Sequence, residues 1–167
     1  MINQLYKLQK TYDLMRPSGA SKSVICDFAE NMANTINFKP GDDIYEVIHR
    51  NGGKIHYSHT IQCEHCAIIY VHEPNNFDII MSGLTGPLNS RFSIANRLGR
   101  YLMHKPHTKS WSNQQNRRLN IEACWFAMEF LMPQKTFTKM KSSICEMAAY
   151  FQVPIDVAKA WQKQHDM

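Results

Sequence analysis

Residues Arg91 to His104 read RFSIANRLGRYLMH, and this stretch decides the fold. The spacing of Ile94, Ala95, Leu98, Tyr101 and Leu102 predicts a helix over 91–104. Asn96 and Arg100, four residues apart, share one face of it, and Arg97 lies one step around. A second helix is expected over 117–131, within which Asn120 to Pro133 reads NIEACWFAMEFLMP. From Asp78 to Glu122 no acidic residue intervenes, while Arg91, Arg97, Arg100, Lys105, Lys109, Arg117 and Arg118 fall in that interval with His104 and His107. Such a block sets up a local positive potential suited to phosphate or to an acidic protein surface. A solvated face that only keeps the chain dispersed is the plainer alternative.

The first stretch resembles RFTIAHELGHYLLH of the ImmA/IrrE family of metallopeptidases, a thermolysin-like group often encoded on phages and integrative elements. The second is similar to that family's other signature helix, E-x-E-A-N-x-F-A-x-x-L-L-M-P. Phe77 to Ser82, with the loop into Arg91, resembles its edge strand and turn. Ile144 to Pro154 resembles the turn between its terminal helices. The likeness spans about residues 21 to 165, and it implies a mostly helical α+β fold, zincin-like, of the minimal thermolysin type.

The metal chemistry of that family does not carry over. Two histidines at i and i+4 would bind zinc, and the glutamate between them would act as general base. Here the first histidine position is Asn96, the base position is Arg97 and the second histidine position is Arg100. A guanidinium has only N–H donors and no lone pair for a metal. At an effective dielectric near 20, a unit positive charge about 4 Å from Zn²⁺ is repelled by roughly 8 kcal/mol. Arg97 also cannot take a proton at neutral pH, so water activation is lost with the metal. For the family's third, acidic ligand the best match is Glu122, with Asn120 as the other alignment. The expectation is therefore a vestigial site of Asn96, Arg97, Arg100 and Glu122, with Arg100 and Glu122 paired across the two helices.

Working outward, residues 1–20 form an N-terminal extension with an amphipathic look at Leu5, Leu8, Tyr12 and Met15 that stops at Arg16-Pro17-Ser18-Gly19. The domain proper is expected over 21–167. Its first helix starts at Ser21, turns Val24, Ile25, Phe28, Ala29, Met32 and Ile36 to one side, and ends at Lys39-Pro40-Gly41. Asp42 caps a second helix with Ile44, Val47 and Ile48 inward and Gly52-Gly53 as its stop. Lys54–Ser58, Cys66–His72 and Phe77–Ser82 read as three short strands of a small antiparallel sheet, with Glu73 to Asn76 as a hairpin turn. After a loop over 83–90, helices follow at 91–104, 117–131, 141–151 and 155–165, with the polar segment Lys105 to Asn116 joining the first two.

Weaker constellations remain. Cys63-Glu64-His65-Cys66, with His56, His59 and His72 nearby, offers thiolates and imidazoles for a tetrahedral metal, but no second ligand pair stands at recognisable spacing. Cys26, Cys124 and Cys145 lie in apolar helical patterns and read as packing residues. The C-terminal helix pair, with Ala148, Phe151, Ile155, Val157, Ala158 and Trp161 as its core, has the outline of a helix-turn-helix. Its second helix offers Lys159 and Lys163 but no arginine or asparagine set for reading bases.

The 167 residues, 44% hydrophobic with a formal charge of +5, suit one globular domain. No apolar run approaches the roughly 20 residues of a membrane span, the N-terminus lacks a signal-peptide core, and five cysteines form no regular disulfide framework. The expectation is a cytoplasmic protein without cofactor, not an active peptidase, that regulates by binding another protein. The family resemblance implies a repressor-like partner or another mobile-element factor. Arg91, Lys105, Lys109, Arg117 and Arg118 are the candidate partner-binding residues. A nucleic-acid-binding module using 91–118, with Tyr101 and Trp111, and a residual peptidase with a non-standard site are the alternatives.

Overall fold

The structure, a computed structural model, describes residues 15–16, 18–61, 67–73, 75–106 and 113–165. Helix α1 (Lys22–Thr35) starts where Ser21 accepts a hydrogen bond from the Val24 N–H, satisfying one of the free donors of a first turn. Ile25, Ala29, Met32 and Ala33 form its buried face. Val24, assigned to that face from spacing, is 56% exposed, because it lies about 100° around the helix from Ile25. The helix closes at Ile36 with Asn37 left-handed at φ 54°, before the Lys39-Pro40-Gly41 group. Asp43, not Asp42, caps α2 (Ile44–Arg50) by accepting from the Tyr45 N–H at 2.8 Å. The carboxylate of Asp42 instead accepts from the Lys39 N–H at 2.8 Å. Ile44, Val47 and Ile48 point inward as expected. The turn beyond requires Gly52, at φ 84°, where an added Cβ would lie 1.7 Å from the Asn75 carbonyl oxygen.

Strands β2 (Gly53–Ser58), β3 (Ala67–Glu73) and β4 (Asn76–Ser82) form one sheet in the order β2-β4-β3. β3 and β4 are the expected antiparallel hairpin. β2 runs parallel to β4, from Gly53 opposite Phe77 to Ser58 opposite Ser82, so the sheet is mixed rather than antiparallel. β4 is also the central strand and not an edge. Its buried face, Phe77, Ile79 and Met81, explains the placement, since the most apolar strand gains most from neighbours on both sides. A two-residue pairing elsewhere joins β1 (Met15–Arg16) antiparallel to β5 (Lys105–Pro106).

Helix α3 (Pro87–Met103) begins four residues earlier than the sequence suggested. Pro87 reads as a loop residue, yet at the first helical position its fixed φ and missing N–H cost nothing. Ile94, Leu98, Tyr101 and Leu102 are buried, with the Tyr101 ring 4.3 Å from that of Phe77. Across from it, α4 (Asn113–Leu131) passes so close at Gly99 that a Cβ there would meet Phe126 at 2.6 Å. Phe126 and Phe130 of α4 then stack toward Phe28 and Phe38, offset aromatic contacts that add to the area they bury. A short helix α5 (Gln134–Phe137), not anticipated from the sequence, leads to α6 (Ile144–Phe151) and α7 (Ile155–Lys163). Ser143 and Glu146 make a capping box on α6. Phe151, Ala158 and Trp161 are buried in the common core, and the Trp161 indole donates to the Met132 carbonyl at 3.0 Å. Ile155, assigned to the same core, is 46% exposed. Among the described residues, no helix is long and apolar enough to cross a membrane.

Candidate functional site

The substituted face of α3 looks across at α4 in two rungs. The Asn96 amide nitrogen reaches the Cys124 Sγ at 3.5 Å, and the Arg100 guanidinium donates to the Asn120 side-chain oxygen. Each helix contributes residues four apart, so the rungs fall on matching faces. Arg97 stands beside them. A cleft of about 320 Å³ opens there, lined by Asn89, Phe92, Ser93, Asn96 and Arg97 of α3, Asn120 and Cys124 of α4, and Asp156 and Val157 of α7.

The electrostatics of this cleft are those of a cationic site. Burial, then the neighbouring charge of Arg100, lowers the Arg97 pKa to about 10, and burial likewise lowers that of Arg100. Both stay protonated at neutral pH. Burial also pushes the Cys124 thiol up, against the pull of the two arginines and of Asn96. A thiol held protonated in this way is a poor nucleophile and a poor metal ligand. The groups that α3 and α4 turn to the cleft therefore do not fit a catalytic zinc: they are amides, guanidinium N–H groups, a hydroxyl and a neutral thiol without imidazole, and the carboxylate in the lining, Asp156 of α7, stands alone with no second anionic or imidazole ligand beside it.

Glu122 is not the partner of Arg100. It is fully buried, at 0% exposure, on another side of α4. There its carboxylate accepts from the Ser18 N–H and hydroxyl, both at 2.8 Å, from the Gly19 N–H at 3.1 Å, and from Arg118 Nε at 2.8 Å, with His104 Nε2 at 3.1 Å. These bonds hold its pKa down against the effect of burial. Of the two alignments the sequence allowed, the geometry places Asn120 opposite Arg100. The pairing error has a simple source. Residues 120 and 122 differ by about 200° around a helix, so only one of them can face α3.

The candidate partner-binding arginines also divide. Arg91 is 5% exposed, donates to the Asp42 carbonyl at 2.5 Å and lies over the Phe38 ring. Arg118 bonds Glu122 and the Ala20 carbonyl and covers Trp125. Both belong to the scaffold rather than to a free surface, because each head group is bonded inside the chain, with Arg91 Nε and Nη2 buried and unpartnered among the described residues. Arg117 is exposed. Lys105 is placed by its backbone in β5, whereas Lys109, Trp111, Cys63 and Cys66 lie outside the described residues. His56 and His72 flank Asp78 on the sheet, at 3.3 and 2.8 Å from its two carboxylate oxygens. His59 packs against Gly83 instead. Of the cysteines read as packing, Cys145 is exposed and Cys124 lines the cleft. The cleft residues that sequence reasoning missed are Asn89, Phe92, Ser93, Cys124, Asp156 and Val157. The four-residue step from Asn120 is a signal for Cys124; Asp156 and Val157 come from a separate helix and have none.

Comparison with known proteins follows this geometry. The matching family model is the IrrE N-terminal-like domain, a peptidase family by its name, over residues 65–160. That is more than half of the chain, and the chain belongs to this family. Among solved structures, a Mycobacterium tuberculosis transcriptional regulator shares the fold with a TM-score of 0.59 and 15% identity. The alignment covers 81% of this chain and 45% of that one, so the present chain spans less than half of the regulator's length. No curated protein sequence matches.

Proposed function

We propose that this domain does not carry out metal-dependent hydrolysis and that its cleft binds a protein partner in a regulatory role. The observation that carries this reading is the set of side chains on the cleft face, with Asn96, Arg97 and Arg100 on α3 and Asn120 opposite. Two guanidinium groups stand where the family's metal and base would be, while Gly99 and the apolar residues that seat α3 on α4 are kept. A scaffold with its cleft open and its hydrolytic groups replaced suits sequestering a segment rather than cutting it. The family resemblance points to a repressor-like helix-turn-helix protein or another mobile-element factor as partner, within the cytoplasm.

The nucleic-acid alternative is weakened by Arg91 and Arg118, whose head groups are engaged within the chain, leaving fewer cations of the 91–118 block for phosphates. The test is capture of the repressor encoded nearest the gene in its native host, using the intact chain and an Arg97→Asp variant. Stable capture that the substitution abolishes supports the reading. Capture that is unaffected contradicts the role of the cleft, and binding to DNA with a steep log-linear loss in salt favours the rival.

A further inference from the structure

Arg97 is unusual among the buried and half-buried arginines in what it lacks. Arg118 has Glu122 and a carbonyl, Arg100 has Asn120, and Arg91 has the Asp42 carbonyl. Arg97 makes no hydrogen bond or ion pair to any described residue; its Nε, like those of Arg91 and Arg100, is buried without a partner among the described residues, but no other N–H of its head group is bonded either. Its guanidinium stands in the wall of the 320 Å³ cleft, next to a second cation. An unpaired guanidinium partly withdrawn from water is costly, and an anion entering from outside would offset that cost.

We propose that the Arg97 cleft is a carboxylate-binding pocket that takes an acidic side chain of a partner peptide. The proposal rests on the reading that this cleft binds rather than hydrolyses, and it names the chemistry that would be bound. Three observations select a carboxylate. The lining carries Arg97 and Asp156, and Arg100 stands beside Arg97 just outside it, so the formal charge with Arg100 counted is +1, which balances one monoanion better than a phosphate dianion. Asp156 leaves Arg97 open to a ligand, since among the described residues it makes no ion pair with either arginine and its own carboxylate accepts from the Val157 N–H. The volume is at the lower end of the range for ligand sites, large enough for a residue-sized group, and Phe92 and Val157 offer apolar wall to its methylenes. A planar guanidinium with parallel N–H donors is matched to a carboxylate in two-point contact.

The test is NMR titration of the ¹⁵N-labelled full chain with acetyl-glutamate amide, with acetyl-glutamine amide, inorganic phosphate and sodium chloride at matched ionic strength as comparisons. The glutamate probe should shift the Arg97 Nε–H and the amides of Ser93, Asn96 and Cys124 saturably, and bind roughly tenfold tighter than the glutamine probe. Arg97→Gln should remove that preference, while Arg50→Gln, at an exposed arginine on α2, should retain it. Removing a partnerless charge should leave the fold intact, and the unshifted core signals of Arg97→Gln verify this; Arg97→Lys, which keeps the charge but not the fork, should bind with intermediate affinity. Equal binding of the glutamate and glutamine probes, or unchanged affinity in Arg97→Gln, overturns the proposal. Tighter binding of phosphate than of the glutamate probe overturns the choice of carboxylate. Failure here leaves the non-hydrolytic reading untouched, because zinc content and not probe binding decides it.

Discussion

Glu122 Oε2 lies 3.1 Å from His104 Nε2, and neither side chain exposes any surface. The same carboxylate collects Ser18, Gly19 and Arg118, so one buried group fastens the chain before α1 and the end of α3 to α4. Removing it leaves several donors without an acceptor. Glu122→Ala should lower stability by about 3–5 kcal/mol, read from urea unfolding, and should expose the chain around residue 18 to limited proteolysis. A loss below about 1 kcal/mol, the scale of a surface pair, would contradict the role given to this carboxylate.

His104 titrates in a direction that makes the fold acid-sensitive. Burial is the main cause lowering its pKa to about 4 from 6.5. Its neutral ring donates through Nε2 to Glu122 and leaves Nδ1 as a bare acceptor without a partner. Between those two values the unfolded chain binds a proton that the folded chain refuses, so stability falls as pH drops below about 6.5. His104→Gln, which keeps a donor toward Glu122, should flatten the stability profile between pH 6.5 and 4. An equally steep profile in the variant would assign the acid sensitivity elsewhere.

Glu129 works in the opposite direction. Burial is the main cause raising its pKa to about 7 from 4.5, although the Gln134 N–H donates to it. A raised acid contributes most below its unfolded value, and that contribution is lost as pH rises through the folded one. Glu129→Gln should therefore gain stability relative to the native chain between pH 5 and 8, by on the order of 3 kcal/mol at the upper end. The check is paired unfolding curves at pH 4.5 and 8, and a difference that does not grow with pH would count against it.

Arg117 and Arg118 separate surface from scaffold. Arg117→Glu should leave the unfolding midpoint within about 0.5 kcal/mol of native and weaken capture of an acidic partner. Arg118→Glu should destabilise by several kcal/mol, because it sets a second carboxylate against buried Glu122. Differential scanning calorimetry of the two variants decides between them, and equal melting temperatures would mean that Arg118 is as free as its neighbour.

Most of the fold was legible because its signals are local. The start of α1 at Ser21, the inward Ile44, Val47 and Ile48, the β3–β4 hairpin and the two signature helices depend on neighbours within a few residues. The parallel β2–β4 pairing depends on contacts between segments some 24 residues apart, and alternation along each strand carries no information about direction. Pro87 misled because a residue that breaks a helix interior is welcome at its start. In the site, the residue types at 96, 97 and 100, on which the proposed loss of metal chemistry rests, are readable directly. The partner of Arg100 was not, since Asn120 and Glu122 differ only in which side of α4 they take, and that is set by the packing of Gly99 against Phe126. Arg91 and Arg118 look like surface charges in the sequence and are not, because a long side chain can carry its head group to buried acceptors such as the Asp42 carbonyl and Glu122.

The central claim is that the α3–α4 cleft no longer holds a catalytic metal, and zinc content measures it directly. The native chain, a Cys63→Ser/Cys66→Ser variant and a variant restored with Asn96→His, Arg97→Glu, Arg100→His and Asn120→Glu should be equilibrated with zinc, desalted and analysed by elemental mass spectrometry. About one zinc per chain is expected in the restored variant only, and none at the cleft of the native chain, whether or not the cysteine substitutions are present. Stoichiometric zinc in the native chain that survives the cysteine substitutions and is lost in Asn96→Ala or Asn120→Ala would contradict it.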